Sequence, residues 1–120
     1  MKPVVAGAVS VLAATALPAA AEMHFNRIAS FPVPLNLPAG ADALTATSAE
    51  IIAASGDGMT LIYSDSPQGA VGLIDIGDPA APQPLGSVAM GGEPTSVATL
   101  GEVAFVAVNT SESFTAPSGR

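Results

Sequence analysis

Five oxygen-bearing residues stand where strand ends are expected: Glu50, Asp65, Glu93, Asn109 and Glu112. Carboxylate and amide oxygens gathered on one rim could hold Ca²⁺, or orient a phosphate through a bound metal, because hard cations take several oxygen ligands at once. The competing account is plain: acids and Asn in strand-end loops form turns and stay solvated. Other chemistry-bearing residues have simpler roles. Asp57 falls in a hairpin turn, Asp78 precedes a turn proline, and Asp75 alternates outward from a strand. None follows the Asp-x-Asp-x-Asp-Gly spacing of a calcium loop. His24 is the only histidine, too few for a zinc site or a Ser-His-Asp arrangement. There is no Gly-x-Ser-x-Gly elbow and no glycine-rich phosphate loop. The residues therefore offer candidate binding groups and no recognisable nucleophile.

What must position those groups is a repeat. Ile52 aligns with Val97 and Gly56 with Gly101, an offset of 45; Leu61 aligns with Phe105 and Asp65 with Asn109, an offset of 44, as if the second turn lacked one residue. A period of this size with strand-like content predicts β-propeller blades. Residues 50–55, 59–64, 70–76 and 84–90 read as four strands of one complete blade, residues 50–90. Residues 94–109 read as half of a second blade, and residues 111–120 as a polar loop that stops before a third strand begins. The expected architecture is thus an all-β, truncated propeller spanning residues 48–120. Runs such as Leu61-Ile62-Tyr63 and residues 103–108 are apolar at successive positions, which suits strands covered on both faces. One blade cannot supply that cover alone; it needs neighbours.

Residues 22–47 are expected to form an N-terminal strand, at residues 23–33, followed by a loop rich in Pro, Ala and Gly. Residues 27–33 match residues 84–90 at two apolar positions, Ile28 with Leu85 and Phe31 with Val88, so this strand could close a ring as an outer strand or hang as a free arm. Residues 1–21 read as a secretory signal peptide: Lys2, an apolar stretch over 4–17, Pro18, then Ala19-Ala20-Ala21 before a cleavage point. That places the protein in the periplasm or outside the cell, with no membrane insertion after cleavage. The remaining chain keeps all ten acids and only Arg27 and Arg120 as bases. Such a balance disfavours nucleic acid, which needs Lys and Arg to displace counterions. No cysteine is present, so stability rests on packing rather than disulfides.

The stretch Gly72-Leu73-Ile74-Asp75-Ile76-Gly77-Asp78-Pro79-Ala80-Ala81-Pro82 resembles the repeat of bacterial secreted propellers, with its Asp-Pro turn. Residues 48–53, followed 45 residues later by residues 93–98, are similar to exported bacterial proteins described as alkaline-phosphatase-like or phytase-like esterases. The resemblance implies a phosphoesterase acting on a small-molecule phosphate ester, calcium in the full-length protein, and a catalytic half beyond Arg120. The present segment would be its scaffold, inactive by itself. The rival function is a non-catalytic secreted propeller that binds a protein or glycan at its rim. The leader has an immediate check. Mass spectrometry of exported material is expected to show a new N-terminus at Glu22, and exported protein that keeps Met1 would contradict the cleavage.

Overall fold

The computed structural model describes residues 25–42 and 44–120; the expected leader, His24 and the first residues of the expected N-terminal strand lie outside them. Six strands form two antiparallel sheets: β1 (Ile52–Ala54), β2 (Thr60–Asp65), β3 (Ala70–Asp75) and β4 (Gln83–Ala89) in sequential order, and a hairpin of β5 (Glu93–Leu100) with β6 (Val103–Asn109). The sheets close into neither a barrel nor a ring among the described residues. The expected four-strand unit and the following half unit are both present as secondary structure.

Alternation places the core. On β2, Ile62 faces the second sheet while Tyr63 faces the other way, and both are buried, at 6% and 1% exposure. Ile62 and Val71 pack with Val97, flanked by Ala53, Leu73, Met90 and Val106. Strand β5 lies against β1 and β2. The junction between sheets is polar at its ends: Gly56 N–H donates to Gly101 O (3.1 Å) and Thr99 Oγ donates to Ala54 O (2.6 Å). Each of these bonds joins equivalent positions of the two repeats. A Cβ on Gly56 would come within 2.8 Å of Gly101 O, so glycine is what allows the two turns to touch.

The hairpin turns differ from the expected one-residue change. Ser55 pairs with Thr60 across four turn residues, whereas Leu100 pairs with Val103 across two. The second turn is shorter by two. The registers Ala53↔Ile62 and Ala98↔Phe105 consequently make Phe105 the counterpart of Ile62, not of Leu61. The first turn, which holds Asp57-Gly58, is not a two-residue turn with both central residues at positive φ. Gly58 alone has positive φ, +73°, and Asp57 does not. Asp57 instead accepts from Ser55 Oγ (2.6 Å) and Met59 N–H (3.0 Å), which holds its carboxyl below the usual range, the Ser55 bond contributing most.

Two further expectations are corrected. Residues 25–32 carry no strand. Pro32 and Pro34 remove backbone donors, and the chain turns into a short 3-10 segment, Val33–Asn36. From residue 28 to 31 it lies across Leu61 and Ile74, so this region straps the sheet's outer face instead of adding to its edge. At the other end, residues 118–120 are not loop. Val108 and Arg120 exchange two backbone bonds (2.8 and 3.0 Å), and Thr110 N–H donates to Ser118 O (3.0 Å). By the register above Val108 is the counterpart of Asp65, so its pairing with Arg120 stands where Asp65↔Ala70 joins β2 to β3. Beyond the isolated bridge Asn109↔Gly119, no third strand of the second copy forms among the described residues.

Asn36 fixes the strap. Its Nδ2 donates to Tyr63 Oη and to Leu73 O, both at 2.9 Å, and its Oδ1 accepts from Gly86 N–H at 2.9 Å. The register of β3 with β4 slips between Leu73 and Ile74, and the Asn36 amide supplies partners there for Leu73 and Gly86. Each buried group left unpaired costs roughly 1–3 kcal/mol. Asn36→Ala is therefore expected to lower stability by at least about 2 kcal/mol, read as a drop in the urea midpoint, with Asn36→Gln recovering little because the longer amide misses the bulge.

Candidate functional site

The rim builds from the ends of the inner hairpins. In the first copy the chain enters β1 through Ser48 and Glu50 and leaves β2 through Asp65 and Ser66. Glu50 accepts from Ser48 Oγ (3.1 Å, on Oε1) and from Ser66 Oγ (2.7 Å, on Oε2). Asp65 Oδ1 accepts the Ser48 N–H at 3.1 Å. Asp65 is 5% exposed. Burial pushes its carboxyl above the ordinary aspartate range, opposed by N–H bonds from Ser48 and Gln68 and reinforced by the Glu50 charge. Two carboxylates thus share one corner, one buried and one held by two hydroxyls.

In the second copy Glu93 and Asn109 are cross-strand partners. Asn109 Nδ2 donates to Glu93 Oε2 at 3.4 Å, while Asn109 Oδ1 accepts from Ser111 N–H at 3.0 Å. Both copies therefore set a Glu beside an Asp or Asn at the same strand end. Ser66 connects them, since its hydroxyl also contacts Pro94 O at 3.2 Å. Glu112 stands apart. It belongs to the loop of residues 110–118, where with Asn109, Ser111, Ser113, Phe114 and Pro117 it lines an open hollow of about 350 Å³. That loop is tied by its own hydroxyls: Ser111 Oγ donates to Ser118 O (3.1 Å) and accepts from Ser118 N–H (2.9 Å).

Of the five expected rim residues, the structure sets Glu50 beside Asp65 and Glu93 beside Asn109, and the one recorded link between the two strand ends is Ser66 Oγ with Pro94 O. Among the described residues, no three of His, Cys, Asp and Glu are grouped so as to hold a metal ion. The remaining acids act as local caps. Asp75 Oδ1 accepts from Gly77 N–H (2.8 Å) and Asp78 Oδ1 from Ala80 N–H (3.0 Å), the side-chain turns expected of Asp near Pro and Gly. The residues that reading by motif passed over are the hydroxyls Ser48 and Ser66 and the amide Asn36. Only Asn36 left a trace in the sequence: it is the one polar side chain in Phe31-Pro32-Val33-Pro34-Leu35-Asn36-Leu37-Pro38.

With the geometry in place, comparison with known proteins adds no relative: no family model, curated protein or solved structure matches the chain.

The Asp65 corner yields a pH test. A carboxyl whose folded pKa is raised binds more protons when folded than when unfolded, so stability falls as pH rises through that interval. Below it the group contributes nothing; above it the buried charge opposes folding. Asp65→Asn keeps an acceptor for the Ser48 N–H without the charge. The variant is expected to gain on the wild type as pH rises from about 4 to about 7, measured by urea melts across that range. A difference that does not change with pH would show that Asp65 is not ionising at a cost.

Proposed function

We propose that this chain is a propeller-type scaffold segment of an exported protein, comprising one blade and the start of the next, with its strand-end rim as the binding surface. The observation that carries this reading is the contact between equivalent positions: Thr99 with Ala54, and Gly101 with Gly56, each 45 residues apart. Successive units of a repeat architecture contact their neighbours through the same positions each time. The backbone bonds of residues 118–120 to Val108 and Thr110, on the side of β6 that corresponds to the one β3 takes on β2, support the same reading.

The activity implied by the resemblance, hydrolysis of a small phosphate ester, is assigned to parts of a longer protein other than these residues. The local bonding supports this. Glu50 is held by Ser48 and Ser66, Asp65 is buried on a backbone N–H, and Glu93 leans on Asn109. A general acid or base must reach the proton that it moves, and these carboxylates are directed at their own chain. The alternative, a rim that binds a protein or glycan without chemistry, draws support from the hollow beside Glu112 and Phe114, where an exposed aromatic ring stands among carboxylate, amide and hydroxyl groups.

The purified chain is expected to hydrolyse an aryl phosphate no faster than buffer, with or without calcium. Calcium-dependent turnover that is lost in Glu50→Gln or Glu93→Gln would overturn the scaffold reading and put the chemistry on this rim.

A further inference from the structure

Among the described residues, every hydrogen bond between residues 25–41 and the sheet passes through one side chain. The backbone bonds of this segment stay inside it: Leu35 N–H to Pro32 O (3.0 Å), Leu37 N–H to Pro34 O (3.2 Å) and Ala41 N–H to Pro38 O (3.0 Å). The link to the sheet is the Asn36 amide, bonded to Tyr63 Oη, Leu73 O and Gly86 N–H. Asn36 is 3% exposed, whereas Phe25, Ile28 and Leu35 stand largely in solvent. Residues 28–31 rest in an open hollow of about 180 Å³, floored by Leu61 and Ile74 and walled by Ile76, Pro79 and Pro82. A single buried anchor amid shallow apolar contact is how a docked peptide is held. A strand is held by a ladder.

The receiving groups all belong to the sheet. The slip between Leu73 and Ile74, beside Pro84, frees Leu73 O and Gly86 N–H from the ladder. The missing side chain of Gly72 makes room for the Tyr63 ring, which brings up the hydroxyl. Leu73 O can only accept and Gly86 N–H can only donate, so the set reads a group that does both from one plane, a carboxamide. A carboxylate would set oxygen against Leu73 O, and an aliphatic chain would leave the carbonyl and the N–H unpaired.

The segment that carries Asn36 is equally prepared. Pro32, Pro34 and Pro38 each fix φ. Pro32 and Leu37, on either side of Val33–Asn36, are extended, at φ/ψ of −72°/113° and −63°/148°. Such a segment gives up little freedom on docking. Beyond it Ala39, Gly40, Ala41 and Asp42 are all exposed, and Gly40 has φ +84° with no atom within 4 Å of where its Cβ would stand. A hinge there lets the strap leave while β1 stays paired.

We infer that Tyr63 Oη, Leu73 O and Gly86 N–H form a peptide-binding site for a carboxamide side chain on an extended, proline-flanked segment, and that residues 28–38 are its tethered ligand, able to leave and to be replaced by the same segment supplied free. Water takes the three groups while the strap is away. The inference rests on the bonding of the strap alone and is independent of the rim and of any activity there.

The test supplies the ligand in trans. The full chain carrying Asn36→Ala keeps a strap without its anchor, and a synthetic peptide of residues 27–38, Asn36 intact, is titrated into it. Calorimetry is expected to show saturable one-to-one binding. The Gly86 amide resonance should move, and the urea midpoint of the variant should rise with peptide concentration. Peptides carrying Asn36→Asp or Asn36→Ala should bind at least about tenfold more weakly. The wild-type chain, whose own strap competes at an effective concentration on the order of millimolar, should need at least about tenfold more of the intact peptide. Circular dichroism checks that the variant keeps its β-structure. Should it unfold, hydrogen exchange on the wild type decides. The Gly86 N–H is expected to exchange through an opening that urea hardly affects, while amides of the central strand β2 exchange only with global unfolding. A folded variant without saturable binding overturns the inference. So does equal binding of all three peptides, or a Gly86 N–H that exchanges only when the whole molecule unfolds.

Discussion

The arrangement depends on how one amide resolves a backbone irregularity. Strands β3 and β4 cannot pair continuously, because Pro84 has no N–H to give and the register slips beside it. A slipped register leaves a carbonyl and an N–H facing a gap, and buried groups of that kind must find partners elsewhere. Asn36 answers with the only neutral side-chain chemistry that can donate twice and accept at once. Its amide meets Leu73 O, Gly86 N–H and the Tyr63 hydroxyl together. Tyr63 in turn lies across Gly72, where a Cβ would fall within 2.1 Å of the ring. The large ring on β2, the missing side chain on β3, the bulge in β4 and the strap that carries Asn36 are thus one mutually dependent set.

On the opposite side of the first sheet the governing constraint is repetition rather than irregularity. The sheets meet through Ile62, Val71 and Val97, and their turns touch through glycines that have nothing to interpose. At the strand ends the Ser66 hydroxyl lies between Glu50 of one unit and the Pro94 carbonyl of the next. Within the first unit Glu50 and Asp65 are neighbours, and each carboxylate has donors of its own.

Strand positions were legible in the sequence because apolar runs, Asp-Gly and Asp-Pro turns, and the repeat all pointed the same way. Each of the six strands lies within two residues or so of its expected place. Other features were not legible, for separable reasons. A hairpin loop two residues shorter in the second copy changes which residues pair, yet an alignment by residue type can absorb one of the two. Residues 25–32 have strand-like composition, but their prolines withhold the donors a ladder needs. The pairing of Ser118–Arg120 onto β6 rests on backbone groups alone, which no side-chain pattern announces. Asn36 acts over distances of 27 to 50 residues, and nothing local signals so distant a partner.

The chain has one tyrosine and no tryptophan, and that tyrosine is the fully buried ring whose hydroxyl Asn36 grips. Burial, chiefly, raises its ionisation above the ordinary tyrosine range, with the Asn36 bond opposing and the Asp65 charge adding. Every tyrosine-specific optical signal from this molecule therefore originates at the junction of strap, bulge and first sheet. Absorbance at wavelengths beyond the bands of the four phenylalanines, tyrosine emission and alkaline titration all observe that single point, with no tryptophan to mask it. The fold has in effect placed its own spectroscopic probe at the seat of the strap, where any loosening of the N-terminal segment from the sheet would register optically.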